Sequence, residues 1–234
     1  MLPLHDPELG SIHFKTHFRS THITIRLVND GLRITMPSTD FYNEALSLIE
    51  KNRSQILTKQ KKRDNGHQII DEGHPLKTLT FTAHVVASDQ PKIFFKLADN
   101  VLTIEYPRQR GIQSPAVQKV IREGIVYFLR KAAKQVLPEK TFQLAMQSGL
   151  KYRSLKIQSS TTRWGSCSSV NNINLSLYLL LLPSHLIDYV IVHELCHTIE
   201  HNHSERFWTH VERILPDCKA LRNELKHFSL SAWA

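Results

Sequence analysis

At 234 residues, 41% of them apolar, the chain is long enough to bury a core as one large domain or two small ones. No run approaches the ~18 consecutive apolar residues of a membrane-spanning helix, and three cysteines exclude a disulfide framework and suit a reducing compartment. Thirty Lys and Arg against 21 Asp and Glu leave a charge of +9, which favours acidic partners such as nucleic acid or nucleotides.

Met1–Asp6 lacks a basic segment followed by an apolar one, so no signal peptide is expected and the location predicted is cytoplasmic. Ile23, Ile25, Leu27 and then Leu32, Ile34, Met36 alternate about Asn29-Asp30-Gly31, the pattern of a β-hairpin. Pro37-Ser38-Thr39 ends it and opens a helix over 40–62, with the basic run Lys59–Arg63 at its C-terminal end. Residues 64–75 read as a loop. Two or three further strands fill 77–106, broken at Asp89-Gln90-Pro91 and Ala98-Asp99-Asn100. Ser114-Pro115 starts a helix whose apolar residues recur at helical spacing to Leu137-Pro138. A second helix spans 139–148 and stops at Gly149. Strands around Leu155–Ile157 and Ile173–Leu179 flank the segment Arg163–Cys167. A helix over 184–201, with Ser184 as N-cap, and two short helices, 204–214 and 217–228, close the chain. No internal repeat is visible. A soft boundary near 107–114 divides a strand-rich part with one helix, 1–110, from an α+β part, 111–234.

The 184–201 helix carries His193-Glu194-Leu195-Cys196-His197. Residues i and i+4 share a helical face, so both imidazoles can aim at one metal ion. Glu194 can then reach a metal-bound water without occupying a coordination position. A catalytic zinc site needs a third protein ligand. His203 stands six residues after His197, the spacing of the third histidine in HExxHxxGxxH zinc proteases. Glu200 stands where those enzymes have glycine, so Asn202 is expected to end the helix and Ser204 to cap the next one. His201 and a downstream Glu are the alternatives to His203. Phe207 and Trp208 are expected to anchor the following helix and so fix the third ligand.

Thr162–Ser168, Leu182-Pro183, Asp188–His197, Asn202-His203-Ser204 and Phe207-Trp208 together resemble the YgjP-like family of predicted metal-dependent hydrolases, which is related to SprT- and WLM-type zinc peptidases. The resemblance is strong over roughly 150–215. It implies a zincin-like catalytic domain with His193, His197 and His203 as ligands and Glu194 as general base. It also inclines Arg163, Trp164 and Gly165 toward substrate binding: a cation, a pocket wall, and a place where a substrate backbone can approach.

The expected protein is thus an α+β metallopeptidase holding one Zn2+ per chain and acting on a protein or peptide. Arg163, Tyr178 and His210 are candidates for a second oxyanion donor. Two rivals stand beside this reading. One is a metal-dependent nucleotide phosphoanhydride hydrolase, and the other is a nucleic-acid-binding module with a structural zinc.

Overall fold

The computed structural model describes residues 4–28, 30–65 (backbone alone at 61–65), 69–230 and 233. The chain forms two compact units, residues 1–67 and 68–234. In the first, β1 (Leu4–Asp6), β2 (Gly10–Thr16), β3 (Thr24–Val28) and β4 (Gly31–Met36) make one sheet in the order β1-β2-β4-β3. The expected hairpin is the antiparallel pair β3–β4; Asn29 of its turn lies outside the described residues. Gly31 has φ +147°, and a Cβ there would lie 2.2 Å from the Ser11 carbonyl oxygen, so only glycine lets β2 and β4 pair so closely. The expected helix over 40–62 is instead two, α1 (Tyr42–Lys51) and α2 (Arg53–Asn65). Asn52 breaks it by donating its side-chain amide to the Leu48 carbonyl at 2.8 Å. Leu9, Ile12, Leu32, Ile34, Met36, Ala45, Ile49 and Ile56 form this unit's core.

The second unit begins with β5 (Leu76–Lys77), β6 (Thr82–Ser88), β7 (Phe94–Ala98) and β8 (Val101–Pro107), in the order β5-β6-β8-β7. Then come α3 (Pro115–Ser148), β9 (Ser154–Gln158), β10 (Gly165–Cys167), β11 (Asn172–Ser176), α4 (Ser184–Cys196), α5 (Glu205–Ile214) and α6 (Cys218–Leu225). Phe81, Val85, Leu102 and Ile104 share one core with Ile121, Ile125 and Leu129 of α3 and with most of α4. That shared core is why the compact units part after His67, whereas the sequence reading draws its boundary at 110/111. The expected break at Pro138 is absent and α3 runs through it to the left-handed cap Gly149. Proline removes one N–H donor, but the carbonyl deprived of it belongs to exposed Lys134, where solvent can take the donor's place. Burial of Leu137, Thr141 and Ala145 holds the helix together across that point.

The secondary-structure elements repeat, contrary to the sequence reading. In β2-β4-β3, β6-β8-β7 and β9-β11-β10 the first strand in sequence lies parallel to the third, and the second pairs antiparallel with the third at the edge. A helix follows each set: α1, α3 and α4. Equivalent positions recur at close to 70 residues, as in Ile34, Ile104 and Leu175 on the middle strands. Beyond the alternation of buried residues, the first two copies share Leu32 with Leu102, Ile34 with Ile104 and Pro37 with Pro107 at a spacing of 70, too few identities to stand out in the sequence. The α+β class expected from the sequence is the class observed.

Candidate metal centre

Helix α4 is apolar on nearly every side, with Leu186, Ile187, Val190, Ile191, Val192 and Leu195 buried, and it runs through the middle of its unit. It starts with Pro183 rather than Ser184 at the N-cap and stops at Cys196, well before the expected end at 201. Thr198 explains the stop. Its hydroxyl and its N–H both donate to the Leu195 carbonyl, at 2.7 and 3.0 Å, which tightens the chain into a turn. Asn202 therefore caps nothing, and His197 itself is the C-cap. Ser204 does cap the next helix, its side chain accepting from the Phe207 N–H at 3.3 Å.

This path brings His203 back over the helix end. Its Nε2 lies 3.0 Å from His193 Nε2 and 3.2 Å from His197 Nε2. Tetrahedral zinc with bonds of ~2.0–2.1 Å sets ligand nitrogens about 3.3 Å apart, so the three nitrogens fit such an ion. Among the described residues these three histidines are the one group that could hold a metal; His201 is exposed and apart from it.

The surroundings favour the neutral ligand form of His193 and His197. His197 Nδ1 lies 3.0 Å from the Glu200 carbonyl, to which it can donate, leaving Nε2 with its lone pair. Glu200, at the position where related spacings carry glycine, thus contributes its backbone. Burial pushes His193 down to about 3, with His197, His203 and Arg222 adding to the effect, and burial lowers His197 as well. Both rings are neutral at pH 7, as metal binding requires. Phe207, fully buried, stacks on His197 at 4.4 Å between centroids and meets His193 and His203 edge-on at 4.9 and 5.0 Å. Trp208 stacks on His203, and the Arg222 guanidinium lies 4.7 Å from the Trp208 ring centre. Arg222 and the Glu200 carbonyl carry no signal in the sequence, because each acts through folding rather than through spacing.

Glu194 is 6% exposed. Burial pushes its carboxyl up to about 7, while the charge of Arg163 pulls it down. Gly165 on β10 lies directly against it. Trp164 packs on the core, and its carbonyl accepts from the Ser176 N–H at 2.8 Å. Of the oxyanion candidates, Arg163 acts on Glu194, whereas Tyr178 is buried against Trp233. Burial raises Cys167 and Cys196 to about 11, so neither thiol is a ready nucleophile at neutral pH. The side chains of the basic residues Lys61, Lys62 and Arg63 lie outside the described residues. No helix among the described residues is long and apolar enough to cross a membrane.

The profile of a family described as "YgjP-like, metallopeptidase domain" matches residues 21–228. Two solved structures are similar over part of the chain. The metallopeptidase zymogen abylysin of Pyrococcus abyssi is 20% identical, covering 39% of this chain and 93% of that one with a TM-score of 0.36. The metallopeptidase zymogen jannalysin of Methanocaldococcus jannaschii is 16% identical, covering 38% and 93%, with a TM-score of 0.35. No curated protein matches the chain.

Proposed function

We propose, from the premise that this chain belongs to the YgjP-like metallopeptidase family, a zincin-like peptidase with one Zn2+ held by His193, His197 and His203 and with Glu194 as its base. Membership makes the chain a metal-dependent hydrolase of the peptidase kind; the ligands, the base and the identity of the ion are our reading. The observation that carries it is the convergence of three Nε2 atoms beside a buried carboxylate. Bound zinc supplies a Lewis acid and makes a water more acidic.

Glu194 takes the proton from the attacking water and returns it to the leaving amine. A carboxyl poised near neutrality suits both transfers. Strand β10 has a single sheet neighbour among the described residues, so its other edge can pair with an extended peptide. Contact between Gly165 and Glu194 sets that edge beside the base. Arg163 and Trp164 flank the same strand and are the substrate-binding candidates. A nucleotide or nucleic-acid partner rests on the charge of +9 alone and stands as a secondary proposal.

The test is hydrolysis of labelled casein and of nucleotides by the zinc-loaded protein and by its Glu194→Gln variant. We expect casein cleavage, lowered on the order of 10²-fold or more in the variant, with zinc retained. Full turnover in a zinc-loaded Glu194→Gln protein would show that Glu194 is not the base. Cleavage of nucleotides in place of casein would favour the phosphoanhydride reading.

A further inference from the structure

One inward position of the edge strand is Ile25 in the first strand–helix repeat, Phe95 in the second and Gly165 in the third. In the second repeat the Phe95 ring leans on α3 at Gly124. A Cβ on Gly124 would sit 2.1 Å from the ring's Cε1. In the third repeat the sizes are exchanged. The strand contributes no side chain, and the helix contributes Glu194. A Cβ on Gly165 would fall 2.7 Å from both Cγ and Oε1 of Glu194 and 2.9 Å from Cδ. Gly124 is the tenth residue of α3 and Glu194 the eleventh of α4, so the two contacts occupy the same sheet–helix junction.

Ordinary reasons for glycine do not apply at 165. Its φ is not in the left-handed region, and it lies within a paired strand opposite Leu175. The contact at Cγ and Cδ matters more than the one at the terminal oxygen. Rotating the carboxylate alone can move the oxygen but not Cγ or Cδ, so a side chain at 165 forces the whole glutamate out of its place. At 6% exposure Glu194 has little free volume to move into.

We propose that Gly165 is the positioning residue for Glu194: the missing side chain on β10 is the space in which the carboxylate is held. The catalytic consequence rests on the reading of Glu194 as the base; the positional one does not. The test uses four zinc-loaded proteins: wild type, Gly165→Ala, Glu194→Ala and the double variant. Zinc content should stay near one equivalent in all four, because no ligand is touched. Gly165→Ala should lower the melting temperature when Glu194 is present. In the Glu194→Ala background it should be neutral or raise it, because alanine in an extended strand loses less backbone freedom than glycine. On labelled casein, Gly165→Ala should cut kcat on the order of 10²-fold, as a displacement of about 1 Å does, with KM unchanged.

Equal melting losses in both backgrounds would overturn the proposal, as would a Gly165→Ala protein with full turnover. If the wild type cleaves no casein while the melting cycle shows the expected change of sign, the peptidase reading falls and the placement of Glu194 by Gly165 stands.

Discussion

Replacing Phe207 by alanine tests whether the metal centre is built by packing as well as by its ligands. The side chain is fully buried and its ring touches all three histidine rings, with centroids 4.4–5.0 Å away. Truncating a buried phenylalanine costs about 3–5 kcal/mol, the lost burial plus the cavity left behind. At roughly 2–4 °C per kcal/mol for a unit of this size, the metal-free protein should melt about 6–20 °C lower by calorimetry. The cavity also frees the three rings to drift from their convergent arrangement. Zinc affinity in a chelator competition should fall about 10–100-fold, as it does when a group behind a ligand is lost. Phe207→Leu, which refills most of the space, should recover most of both. A folded Phe207→Ala protein with unaltered zinc affinity would refute the claim that the ring positions the ligands. A melting shift of only a degree or two would refute the cavity argument.

His203→Ala should strongly reduce bound zinc in a metal-content assay, whereas His201→Ala should leave it near one per chain; the reverse pattern would reassign the third ligand. Asp6 predicts an acid response in the first unit. The Arg53 guanidinium, helped by the N–H groups of Leu9 and Glu8, holds its carboxyl well below the usual carboxylate range. A depressed carboxylate contributes stability that is present above its unfolded pKa of about 3.9 and is lost as pH falls through the lower folded value. Asp6→Asn should therefore melt below wild type at pH 7, and the gap should close toward pH 2; a gap of constant size would show that the ion pair contributes nothing.

The features legible in the sequence were those set by local spacing. The i, i+4 pair of His193 and His197, the cap at Ser204 and the hairpin before Gly31 depend on residues close in the chain. Where a second part of the fold decides the outcome, the sequence was silent or misleading. Pro138 reads as a break because its missing donor is a local fact, while the burial that overrides it is not. The early end of α4 depends on a Thr198 hydroxyl that competes for one carbonyl. Gly165 reads as a place where a substrate backbone can approach; that Glu194 from another element lies against it as well is not visible in the sequence. The strand-and-helix repeat was hidden because its copies share a pattern of burial and only scattered residues, such as Ile34 with Ile104 and Pro37 with Pro107.

The repeat also bears on how the chain finds its fold. Parallel strands ordinarily require a long crossover, usually through a helix. Here each parallel pair is separated by only the intervening edge strand, as in Ser11 with Gly31, Thr82 with Val101 and Ser154 with Asn172, all about 20 residues apart. The entropy of closing such a loop grows only with the logarithm of its length, and short closures keep contact order low. Each sheet can therefore form from its own stretch of chain as that stretch leaves the ribosome. The nucleus around Leu32 and Ile34 can be complete before the histidines of α4 have been synthesised, so a lesion in the first sheet should slow the early steps of folding and one in α4 the last.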